Sequence, residues 1–368
     1  MRIHYDHQIF SVQRAGGASK YFQRLINELV ATGEHEVSTG LGPLSYWQFS
    51  GGCLCEKEKV ISRIDKRIRF AANELFARVG ALSAREDVYH PTLYYRTYGR
   101  KSGAMVVTHH DCTYERYPEL FSNHAQIREM KARQFAQATL IICVSHSGRE
   151  DLHHFYDVDE SKSIVIHHGV DHVPVGESME RTQEPWGDRP YLLFVGSRWP
   201  YKQFGYVVRA LGSLPALQDY SLVVAGGSAF SADENALIQE SGLGDRLHKL
   251  SFVSDARMRA LYSRADLLVY PSSYEGFGFP PLEALRLGTP SIVARSSSIP
   301  EVCGDAAYYF EADHFEDFRS RLEDACRNRS GRAELLERGR VIASGFTWER
   351  SARETVAVYS QAVKMFLT

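Results

Sequence analysis

The feature that most constrains this chain is an alternation running along nearly all of its 368 residues. Short apolar runs of strand length are each followed by an amphipathic stretch of helix length. Such repeats build stacked strand–helix–strand units around parallel sheets. In the first half the strand candidates are Arg2–Tyr5, Glu36–Leu41, Asp87–His90, Met105–His109, Thr139–Ser145 and Ser163–His168. Helical stretches are read at Ala18–Thr32, Lys59–Val79, Asn123–Gln137 and Ser147–Tyr156.

The alternation breaks at Pro174–Pro190 (PVGESMERTQEPWGDRP), a polar run with three prolines and no period, which reads as a linker. It then restarts more regularly. Strands are expected at Tyr191–Gly196, Ser221–Gly226, Lys249–Val253, Asp266–Pro271 and Ser291–Ala294. Helices are expected at Phe204–Leu214, Glu234–Ser241, Asp255–Arg264, Pro280–Leu287, Phe315–Arg327, Arg332–Ser344 and Trp348–Phe366. The fold class is therefore α/β, with two doubly wound domains over 1–173 and 191–346, the linker at 174–190 and a closing helix at 347–368. Open α/β sheets bind ligands at the carboxyl ends of their strands, where the strand order reverses. Two such domains are expected to form a ligand cleft between those ends.

Composition excludes other classes. The chain is 44% hydrophobic and 24% charged, which argues against disorder, and it has no run near the roughly 18 consecutive apolar residues a membrane span needs. Its opening MRIHYDHQIF lacks the basic and apolar regions of a signal peptide. A net charge of -2 argues against a dedicated nucleic-acid binder. Six cysteines with no C-x-x-C argue against zinc and against a disulfide scaffold, and read as the reduced thiols of a cytoplasmic protein.

Four segments carry candidate chemistry. In Tyr274–Glu283 (YEGFGFPPLE), a strand runs through a glycine-rich turn into a helix. Gly276 and Gly278 permit close backbone approach to a ligand, the helix N-terminus favours an anion, and Glu275 and Glu283 can accept hydrogen bonds from vicinal sugar hydroxyls. On spacing alone the two acids read equally well as a loop charge and a first-turn helix acid. In Val195–Lys202 (VGSRWPYK), Arg198 and Lys202 follow a strand end, which suits a diphosphate and equally a solvated loop. Gly16 and Gly17 precede the first long helix, but G-x-G-x-x-G is absent, so the dinucleotide fingerprint fails. Thr108–Asp111 (THHD) ends a central strand, where His110 can hydrogen-bond a sugar hydroxyl or simply be structural.

Taken together these segments resemble glycosyltransferase family 4, the retaining enzymes of GT-B fold. The paired acids stand in the family's E-G-F-G-x-P-x-x-E-A setting, and Arg198 and Lys202 in its V-G-x-R-x-x-x-K. Gly16 and Gly17 match its early glycine pair, His110–Asp111 its H-D, Ser145 its V-S-x-x-S and Gly169–Asp171 its x-G-V-D turn. Ser298–Val302 matches its S-x-P-E-V, and Phe346–Trp348 the F-x-W before its last helix. One departure is Gln203, where the family often has Asn.

The resemblance implies two Rossmann-like domains facing each other across a cleft, with the last helix crossing back to the first. It implies that Arg198 and Lys202 hold the donor diphosphate, that Glu283 binds the ribose, and that Glu275 lies beside the donor sugar with Gly276, Phe277 and Gly278. Val253 would meet the base from the end of its strand, Gly16 and Gly17 the phosphate, and His110 the transferred sugar. Glu275, His110, Arg198 and Lys202 would be the catalytic set.

With two cations on the leaving diphosphate, no metal or other cofactor is needed. The lone D-x-D, Asp157–Asp159, is weighed as a metal motif and set aside. The string Glu275–Glu283 with Ser297–Glu301 looks most like bacterial surface-polysaccharide and O-antigen mannosyltransferases, favouring GDP-mannose as donor, with UDP- and dTDP-sugars close behind. The acceptor would be a glycan or a lipid-linked glycan. Residues 57–79 place Lys57, Lys59, Arg63, Lys66, Arg67, Arg69 and Arg78 among Ile61, Ile64, Ile68, Leu75 and Val79. This is either a core-facing helix with a basic rim or a peripheral contact with the inner face of the cytoplasmic membrane. A sugar-nucleotide epimerase and a non-catalytic sugar-binding protein are the alternatives.

Overall fold

A computed structural model of the chain describes residues 1–14, 16–50, 52–57, 64–81, 85–95, 103–171, 184–251 and 253–368, without the side chains of 66 and 78–81. The chain divides into two compact units. The first is Met1–Gly169 with Thr347–Thr368, the second Val170–Phe346.

The first unit holds β1 (Arg2–Tyr5), β2 (Glu36–Thr39), a hairpin of β3 (Trp47–Ser50) and β4 (Cys53–Glu56), then β5 (Val88–His90), β6 (Ala104–His109), β7 (Leu140–Cys143) and β8 (Ser163–Val165). Its main sheet is parallel, in the order β2-β1-β5-β6-β7-β8. The second unit holds β9 (Tyr191–Val195), β10 (Ser221–Ala225), β11 (Leu247–Leu250), β12 (Leu267–Tyr270), β13 (Ser291–Arg295) and β14 (Tyr308–Glu311). These are also parallel, in the order β11-β10-β9-β12-β13-β14. The order reverses between β9 and β12, so the loops leaving those two strands flank the ligand crevice of a doubly wound sheet.

The strands are apolar because both faces are covered. Every residue of β10 and β12 is buried. Helix Phe204–Ser213 inserts Val207, Val208 and Leu211 against Phe194 and Val224 on one face of the second sheet.

The last helix, Trp348–Leu367, belongs to the first unit through a buried polar chain. Tyr359 Oη lies 2.7 Å from Tyr5 Oη and 2.6 Å from His90 Nδ1. His90 Nε2 meets Thr108 Oγ1 at 2.9 Å, and Tyr21 Oη meets that hydroxyl at 3.2 Å. Burial pushes His90 down to about 3, so the chain operates with a neutral imidazole. The helix start crosses so close to Gly169 that a Cβ there would stand 2.3 Å from Trp348 N.

Sequence periodicity missed the β3–β4 hairpin and the edge strand β14, whose apolar run is only three residues long and mostly half-buried. Of the expected linker, 174–183 lies outside the described residues. Trp186 is buried against Tyr191 and His248.

Candidate active site

The chain leaves β9 through Gly196, whose φ of 115° only glycine adopts at low cost, and reaches Arg198 two residues on. The Arg198 side chain is only 3% exposed. Its Nε donates to Glu234 Oε1 at 2.7 Å, and its Nη2 to the carbonyls of Ser228 (2.8 Å) and Ala229 (3.0 Å). The guanidinium carbon stands 4.5 Å from the centre of the Phe230 ring. Nη1 is buried without a hydrogen-bond partner.

Lys202 ends a short 3₁₀ turn, Pro200–Lys202, and its Nζ donates to Glu275 Oε1. The structure thus brings together Lys202 and Glu275 from the two loops at the switch point. The two side chains are 15% and 12% exposed, so their charges are only lightly screened. Tyr270, at the end of β12, also hydrogen-bonds Glu275, and burial raises its phenol well above the usual range. Gln203, directly after Lys202, is left-handed at φ 50°. That conformation suits Asn better than Gln, which gives a physical reason for the family's usual residue there. The Gln203 amide is held by Asp313 Oδ1 at 2.7 Å.

Three consecutive serines after β13 fix the glycine-rich loop. Ser296 Oγ donates to the Ser273 carbonyl, and Ser297 Oγ accepts the Glu275 N–H at 2.8 Å. Ser298 Oγ lies 2.8 Å from the Phe277 carbonyl and 3.0 Å from that of Glu275. Gly278 is left-handed at φ 105°, and a Cβ there would stand 2.7 Å from Ile299 Cδ1. Helix Phe279–Leu287 starts at Gly278 with no side-chain cap. Because Pro280 and Pro281 carry no N–H, this helix end offers an anion only amides at or before Phe279. Glu283 lies in the same helix, where its Oε2 accepts from Tyr262 Oη at 2.8 Å.

Val253 needs correction. The strand expected to run to it, β11, ends at Leu250, and Val253 lies in the loop before Ser254 caps helix Asp255–Arg264. β11 is a half-buried edge strand, which gives apolar continuity no hold on its end.

The first unit carries the other candidates. Gly16 and Gly17 open helix Gly17–Thr32, but its terminus is already engaged: Gln13 Oε1 accepts the Ser19 N–H at 3.0 Å. A Cβ on Gly16 would overlap the Gln13 carboxamide, so this glycine makes room for a side chain of its own unit. His110 follows β6 and lies edge-on to Tyr21 and Phe22. Its Nε2 is buried without a partner, and burial lowers its pKa to about 4 despite Asp111 beside it. Its loop is pinned by Lys131, whose Nζ donates to the Asp111 carbonyl at 2.8 Å and pairs with Glu115 at 3.1 Å.

Two further readings are revised. Arg69, counted in the basic rim, is buried: its Nη1 donates to the Leu44 carbonyl at 2.9 Å and its guanidinium lies over Tyr46. Lys57 donates to the Pro43 carbonyl. The core-facing alternative also fails for Ile68 and Leu75, which are 62% and 66% exposed on helix Lys66–Ala81, beside exposed Phe76. Lys59, Ile61 and Arg63 lie outside the described residues, as do the side chains of Lys66, Arg78 and Val79. Asp159 of the D-x-D caps a 3₁₀ turn, accepting from the Ser161 N–H and hydroxyl.

Sequence reasoning missed Glu234, Tyr262, Tyr270 and Lys131, which hold the candidate residues. Only Glu234 had a local signal, the S-x-x-E capping box with Ser231.

The second unit is doubly wound with acid–cation pairs at its switch point, and the first unit is wound in the same way, which defines a two-domain α/β protein. Residues 177–341 match the glycosyl transferases group 1 model and 59–173 the glycosyltransferase family 4 model, between them more than half of the chain. The chain belongs to these glycosyltransferases, and it is an enzyme of GT-B fold.

It is 26% identical to O-antigen chain mannosyltransferase B of Escherichia coli over 75% of this chain and 74% of that one. It is 27% identical to O-antigen chain mannosyltransferase RfbU of Salmonella typhimurium over 60% of each chain. Among solved structures, sucrose-phosphate synthase of Thermosynechococcus elongatus shares the fold with a TM-score of 0.80, at 18% identity over 98% of both chains.

Proposed function

We propose that the chain is a retaining hexosyltransferase that moves mannose from GDP-mannose to a glycan or lipid-linked glycan of a bacterial surface polysaccharide. The observation that carries the reading is the Lys202–Glu275 pair, with buried Arg198 on the same strand-end loop. The mannosyl choice draws support from the two O-antigen mannosyltransferase relatives.

In this reading the donor diphosphate takes Lys202 from Glu275 and completes the hydrogen bonding of Arg198. Breaking the sugar–phosphate bond leaves negative charge on the diphosphate, and these fixed cations stabilise it where it develops. Glu275, released from Lys202, accepts hydrogen bonds from the donor sugar beside Gly276, Phe277 and Gly278. Glu283, oriented by Tyr262, accepts from the ribose hydroxyls. His110, neutral at physiological pH, uses its open Nε2 toward a hydroxyl of the transferred sugar. The acceptor attacks from the face the diphosphate leaves, and a phosphate oxygen takes its proton. The cations serve in place of a metal. The exposed Ile68, Leu75 and Phe76 would rest on the cytoplasmic membrane surface that carries a lipid-linked acceptor.

The test is a donor panel of GDP-, UDP-, dTDP- and ADP-sugars in EDTA, with the product anomer assigned by NMR. The reading predicts transfer from GDP-mannose, undiminished by EDTA, with an α-anomeric product. An inverted anomer or an absolute requirement for a divalent cation contradicts it.

A further inference from the structure

Arg198 has five N–H donors, and the protein has committed most of them. Nε and Nη2 make a fork onto Glu234, at 2.7 Å to Oε1 and 3.3 Å to Oε2, and Nη2 also donates to the carbonyls of Ser228 and Ala229. The guanidinium stands 4.5 Å from the ring centre of Phe230 and 5.6 Å from that of Phe204. These contacts hold the long side chain in one orientation, and Glu234 supplies the charged one among them. The only nitrogen without a partner is Nη1, and it is buried. Nη1 faces the glycine-lined ends of β9 and β10: a Cβ built on Gly227 would stand 2.7 Å from it, and Gly227 is left-handed at φ 71°. Buried donors without partners are rare, and one at the mouth of a ligand crevice is completed by the ligand.

Glu234 is itself fixed. Its carboxylate accepts the Ser231 N–H at 2.7 Å, and its own N–H donates to Ser231 Oγ at 3.1 Å, closing a capping box at the start of helix Ala232–Glu240. Its side chain is 19% exposed. A capping box needs only one carboxylate oxygen, so the second oxygen and the charge are available to the arginine. A helix start thereby becomes a bracket for a cation on the neighbouring strand-end loop.

We infer that Glu234 is the positioning residue for Arg198, locking the guanidinium so that Nη1 alone is presented to the diphosphate of the donor. This rests on the assignment of Arg198 to the diphosphate made above. Without Glu234, Arg198 becomes a desolvated cation with no counter-charge, and its long side chain turns out to water. The orientation is lost although the residue remains. Arg198 and Glu234 should therefore behave as one unit, not as two independent contributors.

The experiment has two arms on the intact chain: wild type, R198A, E234A, E234Q and R198A/E234A. The first arm records the Arg198 Nε–H resonance by NMR with no nucleotide present. A locked Nε–H gives a resolved, slowly exchanging signal in wild type. The signal persists in E234Q, which keeps an oxygen acceptor, and is lost in E234A. Persistence in E234A overturns the inference.

The second arm measures GDP and UDP binding by calorimetry. Removing a charge-assisted contact is expected to cost R198A about thirtyfold in affinity for the diphosphate that binds, and E234A about tenfold. The double variant should be no weaker than R198A. Additive losses mean that Glu234 only caps its helix, and tighter binding by E234A means that it only neutralises Arg198. Either result overturns the inference and leaves the diphosphate site intact. If wild type and R198A bind both nucleotides equally, or bind neither, the assignment of Arg198 is wrong and the inference falls with it.

Discussion

The two units solve the same topological problem with opposite electrostatics. At the switch point of the second, Lys202–Glu275 and Arg198–Glu234 hold four full charges at low exposure. In the first, whose order reverses between β1 and β5, His90 at the end of β5 and His110 after the neighbouring β6 are buried and neutral, hemmed by Tyr21 and Phe22. In the proposed function an incoming anion takes the cation and releases the acid. A neutral imidazole brings no charge to an anion, but it hydrogen-bonds a hydroxyl without desolvating a charge. Under the proposed function, the second unit would take the phosphate and the first the sugar hydroxyls.

The largest effects should come from breaking this contrast at its charged end. Lys202→Ala removes a fixed cation from the developing negative charge and should lower turnover by about a thousandfold. His110→Ala removes one neutral hydrogen bond and should cost only about tenfold to a hundredfold. Rates of nucleoside diphosphate release check both. Equal losses would erase the proposed division between the units.

Acid should separate the units next. Burial depresses His90 and His109 to about 3 and His110 to about 4, whereas unfolded histidine titrates near 6.5. Between those values the unfolded chain binds more protons than the folded one, so stability falls as pH drops below about 6.5. Each buried imidazole steepens that fall by up to about 1.4 kcal/mol per pH unit. Hydrogen exchange from pH 7 to pH 4 should show the first unit losing protection before the second. Simultaneous loss would mean these histidines do not govern its acid response.

A smaller effect sharpens the ribose assignment. Glu283→Gln should weaken GDP binding about tenfold, and 2′-deoxy-GDP should already lack most of that difference. If both nucleotides weaken equally, Glu283 acts through its Tyr262 hydrogen bond, not through the ribose. The smallest expected change is at the exposed face of the first unit. Phe76→Ser should leave the melting temperature nearly unchanged, because a 55% exposed side chain contributes little to the fold. It should reduce co-flotation with anionic vesicles if that face meets lipid. Unchanged flotation removes the membrane contact.

The sequence made the second unit legible almost element by element, because buried parallel strands are continuous apolar runs. Helices Asp255–Arg264, Phe315–Arg327 and Arg332–Ser344 fall on the expected residues. Edges were harder. β11 and β14 are half buried and carry Lys, His and Glu, so apolar continuity misplaced Val253 and passed over Tyr308–Glu311.

Motif spacing pointed to Arg198, Lys202, Glu275 and His110, which stand where loops leave strands, and to Glu283 in the helix that follows. It could not find what orients them. Glu234, Tyr262 and Lys131 reach these residues from other elements, 36, 21 and 20 positions away in sequence, and Tyr270, close to Glu275, is hidden as the last residue of an apolar strand. Arg69 shows the converse error: a basic residue in a basic run was assigned to the surface, when its guanidinium is buried over Tyr46.

The most direct test of the contrast compares GDP with guanosine by calorimetry in wild type and Lys202→Ala. If the second unit's cations hold the diphosphate, wild type should prefer GDP over guanosine by at least about a hundredfold, and the substitution should shrink that preference while leaving guanosine binding unchanged. An undiminished preference for GDP in Lys202→Ala, or no preference in wild type, would contradict the account.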